Sequence, residues 1–202
     1  MKYVKAFLEE FKTTPTFTFK DVQRFLGSKG SKGKYTKMFI GNILRTERAY
    51  RITNGSYSLY RDIELVGFPF YPFYYGLGFA LTYHGFWKQQ ASPHVITTRK
   101  VRVGTRTAFG LNFQVSRISK EMFFGYDYVK GQNFYYPVSD AEKTLIDALY
   151  YDLYLEDYVY ANILKKLDDK KMRKYLKLCN KKINAVYLKV KSAHGESIGA
   201  GV

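Results

Sequence analysis

Residues 34–60 read KYTKMFIGNILR, then TERAYRIT, then NGSYSLY. On an α-helix of about 3.6 residues per turn, Thr36, Phe39, Ile40 and Ile43 share one face, with Leu44 at its edge. Lys34, Lys37, Met38, Gly41, Asn42 and Arg45 fall on the opposite face. One side can seat on a core, while the other offers cations, an amide and a glycine that permits close approach. Two short alternating segments follow, 50–53 and 56–60, joined by Asn54-Gly55. Asn-Gly is the strongest short-range hairpin signal, because a type I′ turn needs φ > 0 at both central positions. A basic helix followed at once by a two-stranded ribbon is the arrangement of a winged helix-turn-helix. There the helix enters the DNA major groove and the ribbon rides on the backbone. The competing reading is a small α+β fragment whose basic face is merely solvated.

The residues upstream support the first reading. Val4, Phe7, Leu8 and Phe11 recur at helical spacing over 2–12, and Thr13-Thr14-Pro15 ends that helix. Residues 16–19 alternate as a short strand. A brief helix over 19–26 follows, with Asp21 near its start and Gly27 at its C′ position. A turn rich in Gly, Ser and Lys over 27–33 then leads into the basic helix. Helix, strand, helix, basic turn, helix, hairpin is the winged-helix order, and local signals that agree reinforce one another. In this reading Lys32, Lys34, Tyr35, Lys37, Asn42 and Arg45 face the major groove. Asn42 and Arg45 are the candidate base readers, since an amide can pair with adenine and a guanidinium with guanine. Arg51, Asn54 and Ser56 on the wing, with Lys29 before the helix, are the candidate phosphate contacts.

The charge is distributed in the same sense. The chain of 202 residues carries a formal net charge of +16, which points to an anionic partner. Residues 1–61 hold 13 Lys/Arg against 4 Asp/Glu, residues 62–155 hold 9 against 8, and residues 156–202 hold 11 against 5. The excess therefore sits in the candidate DNA reader and the C-terminal stretch, with a near-neutral body between. Hydrophobic content of 46% excludes general disorder. Cys179 is the sole cysteine, so no intrachain disulfide is available. With no signal-peptide pattern and no long uncharged apolar run, the expected location is the cytoplasm, away from membranes.

The spacing predicts a winged helix over 1–61, a linker over 62–73 carrying Gly67, Pro69 and Pro72, and a mixed α+β domain over 74–155. Basic helices over 156–192 and a frayed tail over 193–202 complete the α+β expectation. Within the second domain, 77–83 reads as a helix stopped by Gly85, and 95–98 and 106–118 read as strands with Gly104 and Gly110 at turns or bulges. Residues 121–126 are short and aromatic and end on a Gly-Tyr-Asp turn. Tyr135 and Tyr136 form one more strand before Pro137. Ser139 reads as the N-cap of a helix over 141–154, with Glu142 closing a capping box and Ala141, Leu145, Ala148 and Leu149 facing inward. Residues 158–191 are helical by periodicity, with a break at 167–169. Their basic face is either solvated or a second surface for phosphate, RNA or an acidic partner.

Little points to catalysis. His84, His94 and His194 lie far apart and Cys179 has no partner at ligand spacing, so no metal site is expected. No nucleophile elbow, phosphate-binding loop or dinucleotide fingerprint occurs, and no cofactor is expected. The alternative enzyme reading takes Asp140, Glu142 and Lys143 as acids and lysine of a metal-dependent nuclease targeted by the winged helix. Acids in a first helical turn are, however, what capping and the helix dipole already call for.

The second domain carries, in order, Leu81-Thr-Tyr83-His84-Gly85, Val95-Ile-Thr-Thr98, Phe123-Phe-Gly125-Tyr126, and Val138-Ser-Asp-Ala-Glu142-Lys143-Thr-Leu-Ile-Asp147-Ala-Leu-Tyr150. This set resembles the AbiEi family over roughly residues 77–155. Members are transcriptional regulators of viral defence and antitoxins of the type IV toxin–antitoxin class. The resemblance implies a repressor, not an enzyme, that binds double-stranded operator DNA, often at inverted repeats, which is compatible with a dimer on DNA. It also implies a functional partner, a nucleotidyltransferase-like toxin countered without a tight complex. Tyr83, His84, Gly125, Glu142, Lys143 and Asp147 fall on signature positions. A structural role is expected for them, since Lys143 and Asp147, four residues apart, can pair on one helix face.

Overall fold

A computed structural model describes residues 2–31 and 33–195 of the chain. Its architecture is mixed α+β with two sheets among these residues. The N-terminal unit contains α1 (Val4–Phe11), β1 (Phe17–Thr18), α2 (Phe19–Ser28), α3 (Lys34–Arg45), β2 (Tyr50–Thr53) and β3 (Ser56–Ser58). The strands form an antiparallel sheet in the order β1-β3-β2. Thr18 starts α2 through a reciprocal capping box with Asp21. Such a cap is worth about 1 kcal/mol because it satisfies backbone N–H groups that have no helical partner. The helix runs past Gly27, and the left-handed position that ends it is taken by Gly30 at φ 75°. Phe7 lies at the centre of the packing, with the rings of Phe11, Phe17, Phe25 and Phe39 at 4.6–5.4 Å. Much of the chain's high aromatic content is consumed in such contacts, each worth about 0.5–1.5 kcal/mol beyond the area buried.

The hairpin turn differs from its expected form. Only Gly55 has positive φ, at 77°, so Asn54-Gly55 does not make a type I′ turn. The ladder instead shifts register by one residue between Arg51 and Thr53, as happens when one strand accommodates a bulge. The two successive positive φ values that type I′ requires occur elsewhere, at Phe109 (57°) and Gly110 (80°).

The second sheet has six strands: β4 (Phe73–Tyr75), β5 (His94–Thr97), β6 (Gly104–Ala108), β7 (Leu111–Arg117), β8 (Tyr126–Lys130) and β9 (Tyr135–Ser139), ordered β6-β7-β5-β4-β9-β8. β8 begins within the expected Gly125-Tyr126-Asp127 turn and runs on to Lys130, and β9 continues through Pro137. Pro137 fits inside the sheet because β9 pairs with β4 only at Tyr75↔Val138. α4 (Leu77–Tyr83) ends at Gly85, φ 71°, as its sequence predicts. α5 (Ala141–Tyr150), α6 (Asp157–Leu164), α7 (Asp169–Leu176) and α8 (Lys181–Gly195) complete the chain. α5 is four residues shorter than expected, and a second break, before α8, divides the C-terminal helices. Ala193 and His194, placed in the expected tail, belong to α8, whereas residues 196–202 lie outside those described.

Two expected boundaries do not hold. Residues 62–73 are core rather than linker: Leu65, Val66, Phe70 and Phe73 are buried on one face of the large sheet with Tyr75, Val95, Phe113 and Val138. The Tyr75 hydroxyl pins the segment, donating to the Glu64 carbonyl at 2.6 Å and accepting from the Gly67 N–H at 2.8 Å. A Cβ on Gly67 would meet the Phe73 ring at 2.0 Å. Likewise 156–192 is no appendage. Val159, Ile163, Met172, Ile183 and Tyr187 bury against α5 and the other face of the sheet, with Tyr74, Leu81 and Ile96.

The N-terminal unit is joined firmly to this body. Ile52 of β2 is buried among the residues of the larger sheet. The Tyr60 hydroxyl donates to the Lys12 carbonyl at 2.7 Å, while its ring packs on Phe134. Tyr50 meets Phe109 edge-on, and Arg61 donates to the Phe109 carbonyl at 3.4 Å. No helix among the described residues is long and apolar enough to cross a membrane.

His94 joins β5 to β7 through a 2.8 Å hydrogen bond between Nε2 and Ser116 Oγ, and burial lowers its pKa to about 4. The unfolded chain takes up this proton near pH 6.5, whereas the folded chain resists it down to about pH 4. Stability should therefore decline as pH falls through that interval. Urea melts at stepped pH should show a shallower decline in His94→Asn than in the parent.

Candidate nucleic-acid interface

α3 presents the two faces its sequence predicts. Thr36, Phe39, Ile40 and Ile43 are buried, while Lys34, Lys37, Met38, Gly41 and Arg45 are exposed, Met38 to 60%. A Cβ on Gly41 would meet nothing within 4 Å, so the middle of this face is open. Arg45 Nη2 donates to Asn42 Oδ1 at 3.0 Å, which holds the amide and the guanidinium side by side at the end of the helix. Between α3 and the hairpin runs a groove of about 330 Å³ whose rim carries Lys37 and Arg51 and whose floor is Ile40, Leu44 and Tyr57. The Arg51 guanidinium lies over the Tyr57 ring at 5.8 Å, and the Lys29 ammonium lies over Phe25 at 5.7 Å. Asn54 stands exposed at the hairpin tip.

Two of the sequence-predicted contacts change. Ser56 is 7% exposed and its strand is paired on both sides, with β1 and with β2, so its hydroxyl is withdrawn from the surface. All three residues of β3 are buried, whereas Arg51 on β2 is exposed. Tyr35 is half-buried, its ring 6.0 Å from Phe39, and belongs partly to the core. Lys32 lies outside the described residues. Among the described residues, the cations brought together are Lys34, Lys37, Arg45 and Arg51, with Lys29 at the turn.

The signature residues assemble somewhere else, around α5. Residues 142–149 are all buried, including Glu142, Lys143, Thr144 and Asp147. The expectation of a one-sided helix therefore fails. Lys143 Nζ forms an ion pair with Asp147 Oδ1 at zero exposure for both side chains, and the Tyr74 hydroxyl donates to Asp147 Oδ2 at 2.9 Å. The Lys143 ammonium also lies 5.4 Å from the Tyr74 ring and 5.1 Å from the Phe124 ring. Burial pushes the Asp147 carboxyl above its ordinary range, opposed by Lys143 and by the Tyr74 hydroxyl.

The cap of α5 is Asp140, not Ser139, because β9 extends through Ser139. Asp140 accepts from the Lys143 N–H at 2.8 Å and from the Tyr175 hydroxyl at 2.8 Å. Ser139 instead exchanges a 2.8 Å hydrogen bond with Thr144, and its carbonyl accepts from His84 Nε2 at 2.7 Å. Glu142 turns away from the cap and accepts from the Asp168 N–H at 2.7 Å, tying α5 to the start of α7. Lys171 bridges Asp140 and Glu142 at 3.0 and 3.4 Å. Burial works against its charge, but these two carboxylates outweigh that and raise its pKa. Gly125 sits at φ 71°, and a Cβ there would lie 2.8 Å from both Lys143 and Tyr175. Tyr83 alone of the signature set is outward, 49% exposed and edge-on to His84.

Tyr74, Lys171 and Tyr175 complete the cluster without having been singled out in the sequence. Only contact partners far along the chain reveal them. The acids of the nuclease alternative are all engaged in these bonds, and no group of three or more His, Cys, Asp or Glu among the described residues could hold a metal ion. Comparison with protein-family models and with curated proteins finds no match for this chain.

Breaking a buried ion pair from one side strands a charge and costs about 3–5 kcal/mol. Lys143→Met should destabilise the protein by that order in urea melts. Adding Asp147→Asn, which can still accept from Tyr74, should recover much of the loss. Costs that simply add in the double variant would contradict this pairing.

Proposed function

We propose that this protein is a DNA-binding transcriptional repressor built on an N-terminal winged helix and related to the AbiEi antitoxins. The observation that carries the reading is the open cationic face of α3 beside a three-stranded sheet ordered β1-β3-β2. That order, with α1 and α2 before α3, supports reading the unit as a winged helix in which β2 and β3 would form the wing. α3 would lie in the major groove with Asn42 and Arg45 at base edges. Their mutual hydrogen bond would orient both groups before contact and be exchanged for base contacts on binding. Lys34, Lys37, Arg51, Asn54 and Lys29 would meet phosphates, where each neutralised charge releases counterions.

The antitoxin half of the reading rests on the signature residues of the second domain. Their mutual bonding supports a structural part for them and leaves the outer surface of the body to face any toxin. A nucleotidyltransferase encoded beside this chain's gene would strengthen that half.

Arg45→Ala should lower affinity for the best operator by about 1–3 kcal/mol and reduce discrimination among operator variants. Lys29→Ala should weaken binding to all sequences alike and make the slope of log K against log salt shallower by about one. Fluorescence anisotropy with duplexes from upstream of the chain's own gene measures both. Parent-like binding by both variants would refute the groove assignment.

A further inference from the structure

The two edges of the six-stranded sheet are treated differently. β6 lies against β2 of the N-terminal unit, and the turn after it is held by Tyr50 and Arg61. Among the described residues β8 has no such cover: Asp127, Tyr128 and Lys130 are exposed, Tyr128 to 57%. It pairs with β9 in unbroken register from Tyr126↔Ser139 to Lys130↔Tyr135, with no bulge to twist the edge away. It contains no proline. Natural edge strands are usually blunted by such devices, because free backbone groups template pairing with another chain.

The hydrogen bonds show which backbone groups are free. The Gly131 N–H donates to the Phe134 carbonyl, and the Asp140 N–H donates to the Gly125 carbonyl. Successive residues of an antiparallel strand point their amide groups to opposite sides. Gly125, Asp127, Val129 and Gly131 therefore face β9, and Tyr126, Tyr128 and Lys130 present their N–H and C=O groups to the open edge.

We propose that β8 pairs antiparallel with β8 of a second copy of this chain, on a two-fold axis at Tyr128. An isologous contact of this kind must be self-complementary. Only residues whose amides face outward can form the hydrogen-bonded pairs, which places Tyr128 opposite its own copy and Tyr126 opposite Lys130, twice. The aromatic and cationic side chains then stand side by side on one face, where a ring and an ammonium attract. Asp127 falls opposite Val129 on the other face. Although the chain as a whole carries +16, β8 carries Asp127 as well as Lys130, and Glu64 accepts from the Gln132 N–H just past its end. Two copies can approach here with little excess charge of one sign. The proposal is independent of the DNA reading.

Sedimentation at about 100 μM, well above a micromolar dissociation constant, should show the parent as a dimer. Tyr128→Lys, which sets like charges opposite each other on the axis, should be monomeric with an unchanged thermal melt. A second arm does not depend on that variant folding. In a Cys179→Ser background, Tyr128→Cys should crosslink to its own copy on oxidation, because hydrogen-bonded pairs lie at about 5.5 Å between Cα atoms. Asp127→Cys, displaced from its own copy and on the other face, should not. A monomeric parent, a dimer that survives Tyr128→Lys, or equal crosslinking at 127 and 128 would overturn the proposal.

Discussion

The ion pair between Lys143 and Asp147, with no exposure on either side chain, is the constraint around which the body of this protein is arranged. Two charges removed from water are tolerable only when geometry and further hydrogen bonds repay their desolvation. Tyr74 supplies the hydrogen bond from β4, the rings of Tyr74 and Phe124 flank the ammonium, and the absence of a Cβ at Gly125 leaves room for the Lys143 stem. Asp140 and Glu142 then reach outward to Tyr175, Lys171 and the start of α7. One helix so fixes the sheet on one side and the C-terminal helices on the other. The same bonds that make the cluster stable engage Asp140, Glu142 and Asp147 in holding α5 to the sheet and to α7.

The N-terminal unit follows the opposite logic. Its core is a set of phenylalanines that meet mostly edge to face with no charge to satisfy, and Lys34, Lys37, Arg45 and Arg51 on α3 and the hairpin, with Lys29 at the turn, are placed outward. Tyr60, Ile52 and the Phe109 turn lock it to the body, so the cationic face is presented at a fixed angle rather than on a tether. A fixed presentation suits recognition of a duplex, because orientation is settled before binding and costs no ordering entropy afterward.

Where periodicity governs structure, the sequence was readable. The buried face of α3 follows residue by residue from helical spacing, and the helix stop at Gly85 follows from glycine's tolerance of positive φ. Long-range bonds decided the rest. Residues 62–73 carry the glycine and prolines of a linker, yet the Tyr75 hydroxyl and the ring of Phe73 draw them into the core. Ser139 has the chemistry of a cap but is claimed by β9, which hands the role to Asp140. β8 was hidden because an edge strand with exposed residues on both faces lacks clean apolar alternation. The burial of α5 all round was hidden too: the four-residue spacing of Lys143 and Asp147 showed that they could pair, but not that the pair would lie wholly inside. At the candidate interface the exposed cations were legible, and the withdrawal of Ser56 was not, because it depends on strand register.

The central functional claim is that the exposed face of α3 lies in the DNA groove. Photocrosslinking from a benzophenone side chain introduced at Met38, with Tyr154 as a second exposed position (86%) on the body, tests it most directly. With a duplex from upstream of the chain's own gene, position 38 should crosslink to bases and position 154 should not. Efficient crosslinking from 154 with none from 38 would contradict the account.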